Sequence, residues 1–453
     1  MLLEQHGDSD ILAFLTAALI ASLPPGSAPL DAVPQTRLDA DLRCLLGAYA
    51  LPAGRMVTIT GAGGQPRRLQ YTLSNGQFGT LQPDASGAYV AGSLAIRFAP
   101  CAAGTLQLSQ GATAERGVRL RLVETQTRFE SDGLTLHGKL VRPPDGRAKA
   151  MAVRIEGSNN DPSTDDSVWQ YELARRGIAV FVYDKRGTGT SAGALLSNFP
   201  ARARDTAAAV AAARRLAPAI RLVGVIGGSQ GGWVAPLTAT LVRLDFVIAA
   251  FAMAEGPIAQ DRELVEQQLA QARYDETVRG EARQLTTITE RIVRSNMRDG
   301  FAELEAFKAG HAGVAWFKAI QPRSYTGLFL KFSTAELRAN GPALAQGLSF
   351  DYEPRPVIEA ITPRQLWLLA GSDHQAPNIA TQAILRQVQL RRPDIAVMVF
   401  PTADHGLIER AKRADGVVTA YAARVFDLTA QWIADRSRPA RARFVVMPPA
   451  SPR

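Results

Sequence analysis

The stretch Gly227-Gly228-Ser229-Gln230-Gly231-Gly232 restricts what this chain can become more than any other. Residues 222–226 before it form a short apolar run of strand character, and residues 233–243 after it are long enough for a helix. A strand that meets a helix through a sharp Gly-x-Ser-x-Gly turn lifts the serine hydroxyl clear of the backbone. The flanking glycines, Gly227 and Gly231, are needed where strand and helix come too close for a Cβ. The first turn of the helix offers N–H groups to a developing oxyanion. A chain of this length would hold roughly 0.15 such patterns by chance, so context has to decide. A second match, Gly189-Thr190-Ser191-Ala192-Gly193, does not directly follow its strand, which ends near Asp184, and opens no clean helix. Ser191 therefore reads as a loop residue.

The surrounding grammar changes twice. Residues 56–59, 69–72, 94–98 and 118–123 are short β-like runs, separated by turn signals such as Gly61-Ala62-Gly63-Gly64, Asn75-Gly76 and Ser86-Gly87. They predict a small antiparallel β domain that carries no chemical motif. A hairpin follows over 127–141, around Ser131-Asp132-Gly133. Strands at 151–155, 178–183, 222–226 and 246–250 then alternate with helices at 166–176 and 201–216, which argues a mostly parallel sheet covered by helices on both faces. After residue 250 the alternation stops. Residues 261–350 are mostly helical and polar, an insertion placed to form a cap over the strand ends. The sheet resumes at 366–370, followed by a helix at 379–390, a strand at 396–400, a last helix at 417–434, and a loose tail rich in Pro and Arg from Arg436. The expected division is a possible leader at 1–30, a β-rich domain at 31–126, the α/β domain in two parts at 127–255 and 356–436, a helical cap at 256–355, and a flexible tail at 437–453.

The length of 453 residues allows two or three domains and a large core. The net charge of +9 comes from arginines scattered over many segments, without the basic stripe and stacking partners that nucleic-acid binding requires. Residues 11–23 are an apolar run of signal-peptide length, and Pro24-Pro25-Gly26-Ser27-Ala28 resembles a small-residue cleavage site. The preceding segment, however, carries Glu4, Asp8 and Asp10 and no Lys or Arg. The run is too short to span a bilayer, so no stable membrane insertion is expected. Export is favoured over a cytoplasmic location. Cys44 and Cys101 are the two cysteines. They can pair or stay as free thiols, and no histidine lies at metal-ligand spacing from either.

A serine hydroxyl needs a base, and the base needs an orienting acid. The histidines are His6, His137, His311, His374 and His405. His405 lies in Asp404-His405-Gly406, just after the strand at 396–400, where the sites of open α/β sheets gather. His374 also follows a strand, directly after Asp373. His137 lies in a hairpin, His6 in the leader and His311 in the cap. Asp373 closes Gly371-Ser372-Asp373 after the preceding strand. Each of these has an ordinary alternative: Asp373 as a helix-capping carboxylate, His405 as a loop histidine. Their joint placement in the order Ser229, Asp373, His405 favours a triad.

Four motifs carry a resemblance: Tyr183-Asp184-Lys185-Arg186-Gly187-Thr188-Gly189-Thr190-Ser191, the Ser229 turn, Gly371-Ser372-Asp373 and Asp404-His405-Gly406. Residues 151–434, nearly two-thirds of the chain, resemble the α/β-hydrolase superfamily. Within it they look most like bacterial serine esterases of the branch that includes serine aminopeptidases and prolyl-oligopeptidase-like hydrolases, some with an N-terminal β domain. The resemblance implies the α/β-hydrolase fold and acyl transfer: Ser229 as nucleophile, His405 as base, Asp373 as its partner, and no metal or organic cofactor. It also implies an oxyanion hole from backbone N–H groups, assigned to Ser158 and Gln230. One departure stands out. The family usually has His-Gly in the loop that supplies half of that hole, and here Glu156-Gly157-Ser158 stands there, putting a carboxylate near a site that must stabilise an anion.

The expected reaction is hydrolysis of a small-molecule carboxylic ester. A serine aminopeptidase or acyltransferase on the same residues is the alternative, with Glu255, Glu263 and Glu266 as possible amine-binding groups beside their plainer reading as a solvated helix face. A catalytically inactive hydrolase fold used as a binding module is the alternative of another class. Acyl and alcohol specificity and oligomeric state are not encoded in any pattern found here.

Overall fold

The computed structural model describes residues 38–195, 197–345, 347–413, 416–435 and 443–448. The possible leader at 1–30 lies outside them, as does most of the tail.

The N-terminal part is an eight-stranded closed barrel of antiparallel strands. Its strands are β1 (Gly47–Ala50), β2 (Met56–Gly61), β3 (Leu69–Leu73), β4 (Phe78–Pro83), β5 (Tyr89–Ala91), β6 (Leu94–Phe98), β7 (Thr105–Gln110) and β8 (Thr113–Arg119). Alternate residues, among them Val57, Ile59, Leu69, Leu81, Leu94 and Ile96, fill the interior. Pairing of Tyr49 with Arg119 and of Ala50 with Val118 closes the barrel, so no edge is left unpaired. Cys44 and Cys101 are joined as a disulfide, Cα to Cα 5.7 Å, which ties the turn before β1 to the turn before β7. The strand expected at 118–123 does not exist as one element. β8 ends at Arg119 and the next strand begins at Val123, because residues 120–122 turn the chain out of the barrel and into the main sheet.

The main sheet uses β9 (Val123–Ser131), β10 (Leu134–Arg142), β11 (Ala150–Ile155), β12 (Ile178–Tyr183), β13 (Val223–Gly228), β14 (Phe246–Ala250), β15 (Arg364–Ala370) and β16 (Ile395–Phe400). A separate hairpin, β17 (Ile408–Arg413) and β18 (Gly416–Tyr421), follows, and β19 (Arg443–Val446) returns to the sheet. The nine-stranded order is β19-β16-β15-β14-β13-β11-β12-β10-β9. Only β10 runs against the rest, antiparallel to both of its neighbours β12 and β9. Positive φ at both Asp132 (48°) and Gly133 (75°) matches the twist that a two-residue hairpin turn needs. The inner strands β12 and β14 are apolar along their whole length because both faces are covered. Helices α1 (Trp169–Ala174), α2 (Phe199–Leu216) and α3 (Gly231–Leu241) take up the alternation. α2 and α3 pack against Val153, Ile155 and Val225 on one face, and α1 packs against the other with Ile226, Ile248 and Leu368.

Between β14 and β15 lie the cap helices α4 (Pro257–Gln271), α5 (Glu276–Arg294), α6 (Phe301–Gly310), α7 (Tyr325–Lys331) and α8 (Thr334–Ala345), then α9 (Pro354–Ala360), which leads back to the sheet. The cap has its own apolar core around Leu269, Leu285, Ile292, Leu304 and Leu328. α10 (Ile379–Gln389) and α11 (Val425–Ala434) complete the sheet's cover.

Three expectations need correction. The helix expected at 417–434 is strand β18 followed by α11, since the β-branched run Val417-Val418-Thr419 pairs with β17 and Tyr421 stacks on Phe78 of the barrel, ring centres 4.6 Å apart. The helix expected at 166–176 is one turn, Ser163–Asp166, and then α1. The tail is not loose throughout: Arg443–Val446 adds a parallel ninth strand beside β16.

The base of the cap holds a pair of carboxylates with a consequence for stability. Burial, then the neighbouring Glu263 and Glu353, push the Glu255 carboxyl up to about 7. Glu255 and Glu263 each keep one oxygen buried without a partner among the described residues. Within the cap, burial also raises Asp261 to about 6 despite the hydrogen bonds it accepts from Thr326. Between about 4.5 and about 7 the folded protein holds a proton on Glu255 that the unfolded chain has released. Stability therefore falls as pH rises through that window. Glu255→Gln is expected to raise the melting temperature at pH 8 and to flatten its decline from pH 5 to pH 8, leaving the part that Asp261 contributes. Thermal unfolding of both proteins at the two pH values measures this.

Candidate active site

Each side chain at the site is delivered by the end of a strand. β13 finishes at Gly228, and Ser229 turns the chain with φ of 52°, the left-handed region that a non-glycine residue enters only when its surroundings force it. Those surroundings are visible. Ser229 N–H donates to the Ala250 carbonyl at 3.0 Å, and the Ser229 carbonyl accepts from Gly232 N–H at 2.8 Å. A Cβ on Gly227 would overlap the Gly231 carbonyl, and one on Gly231 would come within 2.5 Å of the Ile155 carbonyl oxygen. The strained turn thus exists because strand, helix and the neighbouring strand β11 all meet there without side chains.

His405 lies in the turn after β16. Its Nε2 is 3.0 Å from Ser229 Oγ, and its Nδ1 is 3.0 Å from both oxygens of Asp373. Asp373 is 1% exposed, and its Oδ1 also accepts from the N–H groups of Gln375 at 2.8 Å and Ala376 at 2.7 Å. Ser229, His405 and Asp373 therefore form a continuous hydrogen-bonded chain across three loops. The edge of Phe251 packs against the His405 ring, centres 5.1 Å apart. Phe251 follows β14 and has φ of 41°.

The two loops that carry Asp373 and His405 exchange a second pair in reverse. His374 Nδ1 lies 3.0 Å from Asp404 Oδ1, which also accepts from His374 N–H at 3.1 Å and His405 N–H at 2.8 Å, while Arg410 donates to Oδ2 at 3.0 Å. Burial would raise the Asp404 carboxyl, but the bonds from His374 and from the two backbone N–H groups outweigh it and hold it well below the usual carboxylate range. The same bond raises His374. The sequence pairs Asp373-His374 and Asp404-His405 thus lock each other's partners in place. From the cap, α4 reaches the same loop: the Gln267 side chain donates to the Asp373 carbonyl at 3.0 Å, and Gln260 to the Gln375 carbonyl at 2.8 Å.

The residues expected to form an oxyanion hole lie beside Ser229. A Cβ on Gly157 would stand 3.2 Å from Ser229 Cβ, so the loop after β11 passes against the nucleophile, with Ser158 next in line and buried. Gln230 opens α3 on the other side. Glu156 does not leave a free carboxylate here. Its Oε2 pairs with Arg154 at 3.0 Å and its Oε1 accepts from Ser163 at 3.1 Å. Arg154 is the buried charge in the otherwise apolar strand β11, and it also donates to the Ile155 and Ile226 carbonyls. The departure from His-Gly is therefore matched by a cation held beneath the turn. Lys185 grips the same loop, donating to the Gly157 carbonyl at 2.8 Å and to the Asn159 carbonyl.

The other sequence candidates lie elsewhere. Ser191 donates to the Asp184 carbonyl at 2.7 Å and accepts from His137 N–H at 2.9 Å, which makes it a loop fastener. His137 itself faces Asp184 at 3.4 Å. His311 stacks on Phe307 in the cap, ring centres 4.1 Å apart. Glu266 is engaged by Arg279 and Arg283. His6 lies outside the described residues. Among the described residues no group of three or more His, Cys, Asp or Glu is placed to hold a metal ion, and no helix is long and apolar enough to cross a membrane.

The sequence model of the Alpha/beta hydrolase family matches residues 159–420, more than half of the chain and the span that holds Ser229, Asp373 and His405. The chain belongs to the alpha/beta hydrolase family. No curated protein matches this hydrolase. Solved structures similar to it include an esterase of Pyrococcus furiosus, with 14% identity, a TM-score of 0.40, and coverage of 63% of this chain and 83% of that one. The acylaminoacyl peptidase of Pyrococcus horikoshii is 13% identical with a TM-score of 0.41, covering 79% of this chain and 51% of that one. Est1E from Butyrivibrio proteoclasticus, solved with ferulic acid bound, is 14% identical with a TM-score of 0.40, covering 68% and 96%.

Proposed function

We propose that this hydrolase cleaves carboxylic esters of small molecules by acyl transfer through Ser229. The hydrogen-bonded chain Ser229–His405–Asp373 is the observation that carries this reading. In the proposed mechanism His405 Nε2 takes the hydroxyl proton as Ser229 Oγ bonds to the ester carbonyl carbon. The negative charge that forms on the carbonyl oxygen is met by the N–H groups of Ser158 and Gln230, and one such donor contributes about 10²–10³ in rate. The tetrahedral species collapses, the carbon–oxygen bond to the alcohol breaks, and the alcohol leaves with the proton from His405. Water then attacks the acyl-enzyme, giving its proton to His405, and the acid leaves as Ser229 regains a proton. Asp373, held by two N–H groups, fixes the imidazole tautomer and stabilises its charged form throughout.

Ester cleavage is favoured over aminopeptidase action because the carboxylates near the cap base are poorly suited to a substrate amine. Glu266 is engaged by arginines, and burial raises both Glu255 and Glu263, with the neighbouring Glu263 raising Glu255 further. The test is a comparison of p-nitrophenyl esters of increasing acyl length with aminoacyl p-nitroanilides at equal concentration. The expected result is turnover of at least one ester with kcat/KM at least about tenfold above every anilide. Faster cleavage of an anilide would replace this reading by the aminopeptidase one, and no turnover of either would favour a binding module.

A further inference from the structure

The two proposed oxyanion donors come from separate segments. Ser158 follows β11 and Gln230 follows β13, and the ladder between these two strands ends at the pair Ile155–Gly227. Both donors therefore sit beyond the ladder that fixes the strands. One buried side chain bridges the segments. Arg202, in the first turns of α2, donates from Nη2 to the Glu156 carbonyl at 2.5 Å and from Nη1 to the side-chain oxygen of Gln230. Gln230 is held in turn through its Nε2 by Ser197 at 3.3 Å.

The electrostatics of this bridge are unusual for a purely structural one. Arg202 is 3% exposed, and burial lowers its pKa against the raising fields of Tyr183, Asp205 and Glu156. Neither carboxylate bonds to it: Asp205 is taken by Arg186, and Glu156 by Arg154. Its Nε has no acceptor among the described residues. The charge also lies near the N-terminus of α2, the end whose dipole disfavours cations. A buried cation facing only neutral acceptors costs stability. That cost is offset when negative charge appears nearby, which is when a carbonyl becomes an oxyanion between Ser158 and Gln230.

We propose that Arg202 is a positioning residue of the oxyanion hole: it sets the spacing of the segments that carry the Ser158 and Gln230 donors, and its field favours the anionic tetrahedral state over the neutral ester. This rests on the acyl-transfer reading of Ser229. Arg202→Met removes the bridge and the charge; Arg202→Lys keeps a charge but not the two-pronged reach. The variants are compared with wild type by kcat and KM on the best p-nitrophenyl ester, by affinity for a trifluoromethyl ketone that adds to the serine as a tetrahedral anion, and by thermal unfolding. Displacing a site by about 1 Å from outside the chemistry is worth about 100-fold. Arg202→Met is therefore expected to lower kcat by about 10–100-fold with KM changed less than about threefold. Affinity for the ketone should fall by the same factor as kcat, and the melting temperature should be unchanged or raised. Arg202→Lys is expected to lie between. If the Met variant does not fold, the Lys variant carries the test, with kcat and ketone affinity again falling together at constant KM. A kcat within about threefold of wild type, or a loss of kcat that leaves ketone affinity untouched, would overturn the role of Arg202 while leaving Ser229 in place. A wild-type enzyme that neither turns over esters nor binds the ketone would remove the acyl-transfer reading, and this inference with it.

Discussion

Ser229→Ala is expected to lower kcat on the best ester by about 10⁴–10⁶-fold with little change in KM, because it removes the atom that forms the acyl-enzyme and leaves the binding surface intact. The hydroxyl bonds to His405, whose ring stays held by Asp373, so the melting temperature should stay within a few degrees. Asp373→Asn should come close behind, at about 10⁴-fold, for a different reason. Asp373 accepts from His405 Nδ1 and from the backbone N–H groups of Gln375 and Ala376. An amide in its place can turn its oxygen to those N–H groups and present its NH₂ to the ring, which selects the tautomer that cannot accept the serine proton. A double variant should be no worse than Ser229→Ala alone, since residues that act as a unit do not add. Steady-state kinetics with circular dichroism on the three proteins measures all of this.

Gly227→Ala should have the largest effect of any single methyl group. The added Cβ would overlap the Gly231 carbonyl and crowd the Gly232 nitrogen, both backbone atoms of the first turn of α3. A flexible side chain could swing aside; the start of a helix packed on β11 cannot, because Gly231 itself lies against the Ile155 and Glu156 carbonyls. The helix must tilt away from the sheet, which draws Gln230 from its proposed oxyanion position and relaxes the φ of Ser229. Forced overpacking of this kind costs about 3 kcal/mol, and the misplacement of the turn about 100-fold or more in kcat. Loss of stability and loss of rate should appear together, unlike Ser229→Ala, where only the rate falls.

The contrast between those variants reflects what a sequence can reveal. Ser229, Asp373 and His405 could be singled out because each sits directly after an apolar strand, and parallel strands bring their ends to one edge of the sheet. Arg202 and Phe251 were not singled out, and Lys185 stands out only as part of a motif, because their importance lies in contacts with loops far away in sequence. Arg154 did leave a signal: a charge in the middle of a strand otherwise apolar throughout needs a partner, and Glu156 two residues on is that partner. Reading Glu156 alone suggested a disturbed anion site; reading it with Arg154 suggests a neutralised one. In the barrel, β4 and β7 escaped notice because only alternate residues face the narrow interior, so Phe78–Pro83 and Thr105–Gln110 carry few apolar side chains. The misread helix at 417–434 has the opposite cause. Its apolar residues suit either period, and only pairing with β17 and packing of Tyr421 on Phe78 select the strand.

The central claim is that Ser229 is a nucleophile activated by His405. Labelling with a fluorophosphonate probe followed by peptide mass mapping tests it most directly, since the probe reacts with activated serines and needs no knowledge of the substrate. Stoichiometric label is expected on the peptide containing Ser229, lost in Ser229→Ala and slowed at least about 100-fold in His405→Ala. Label on the peptide containing Ser191, or a folded wild-type protein that takes no label, would contradict it.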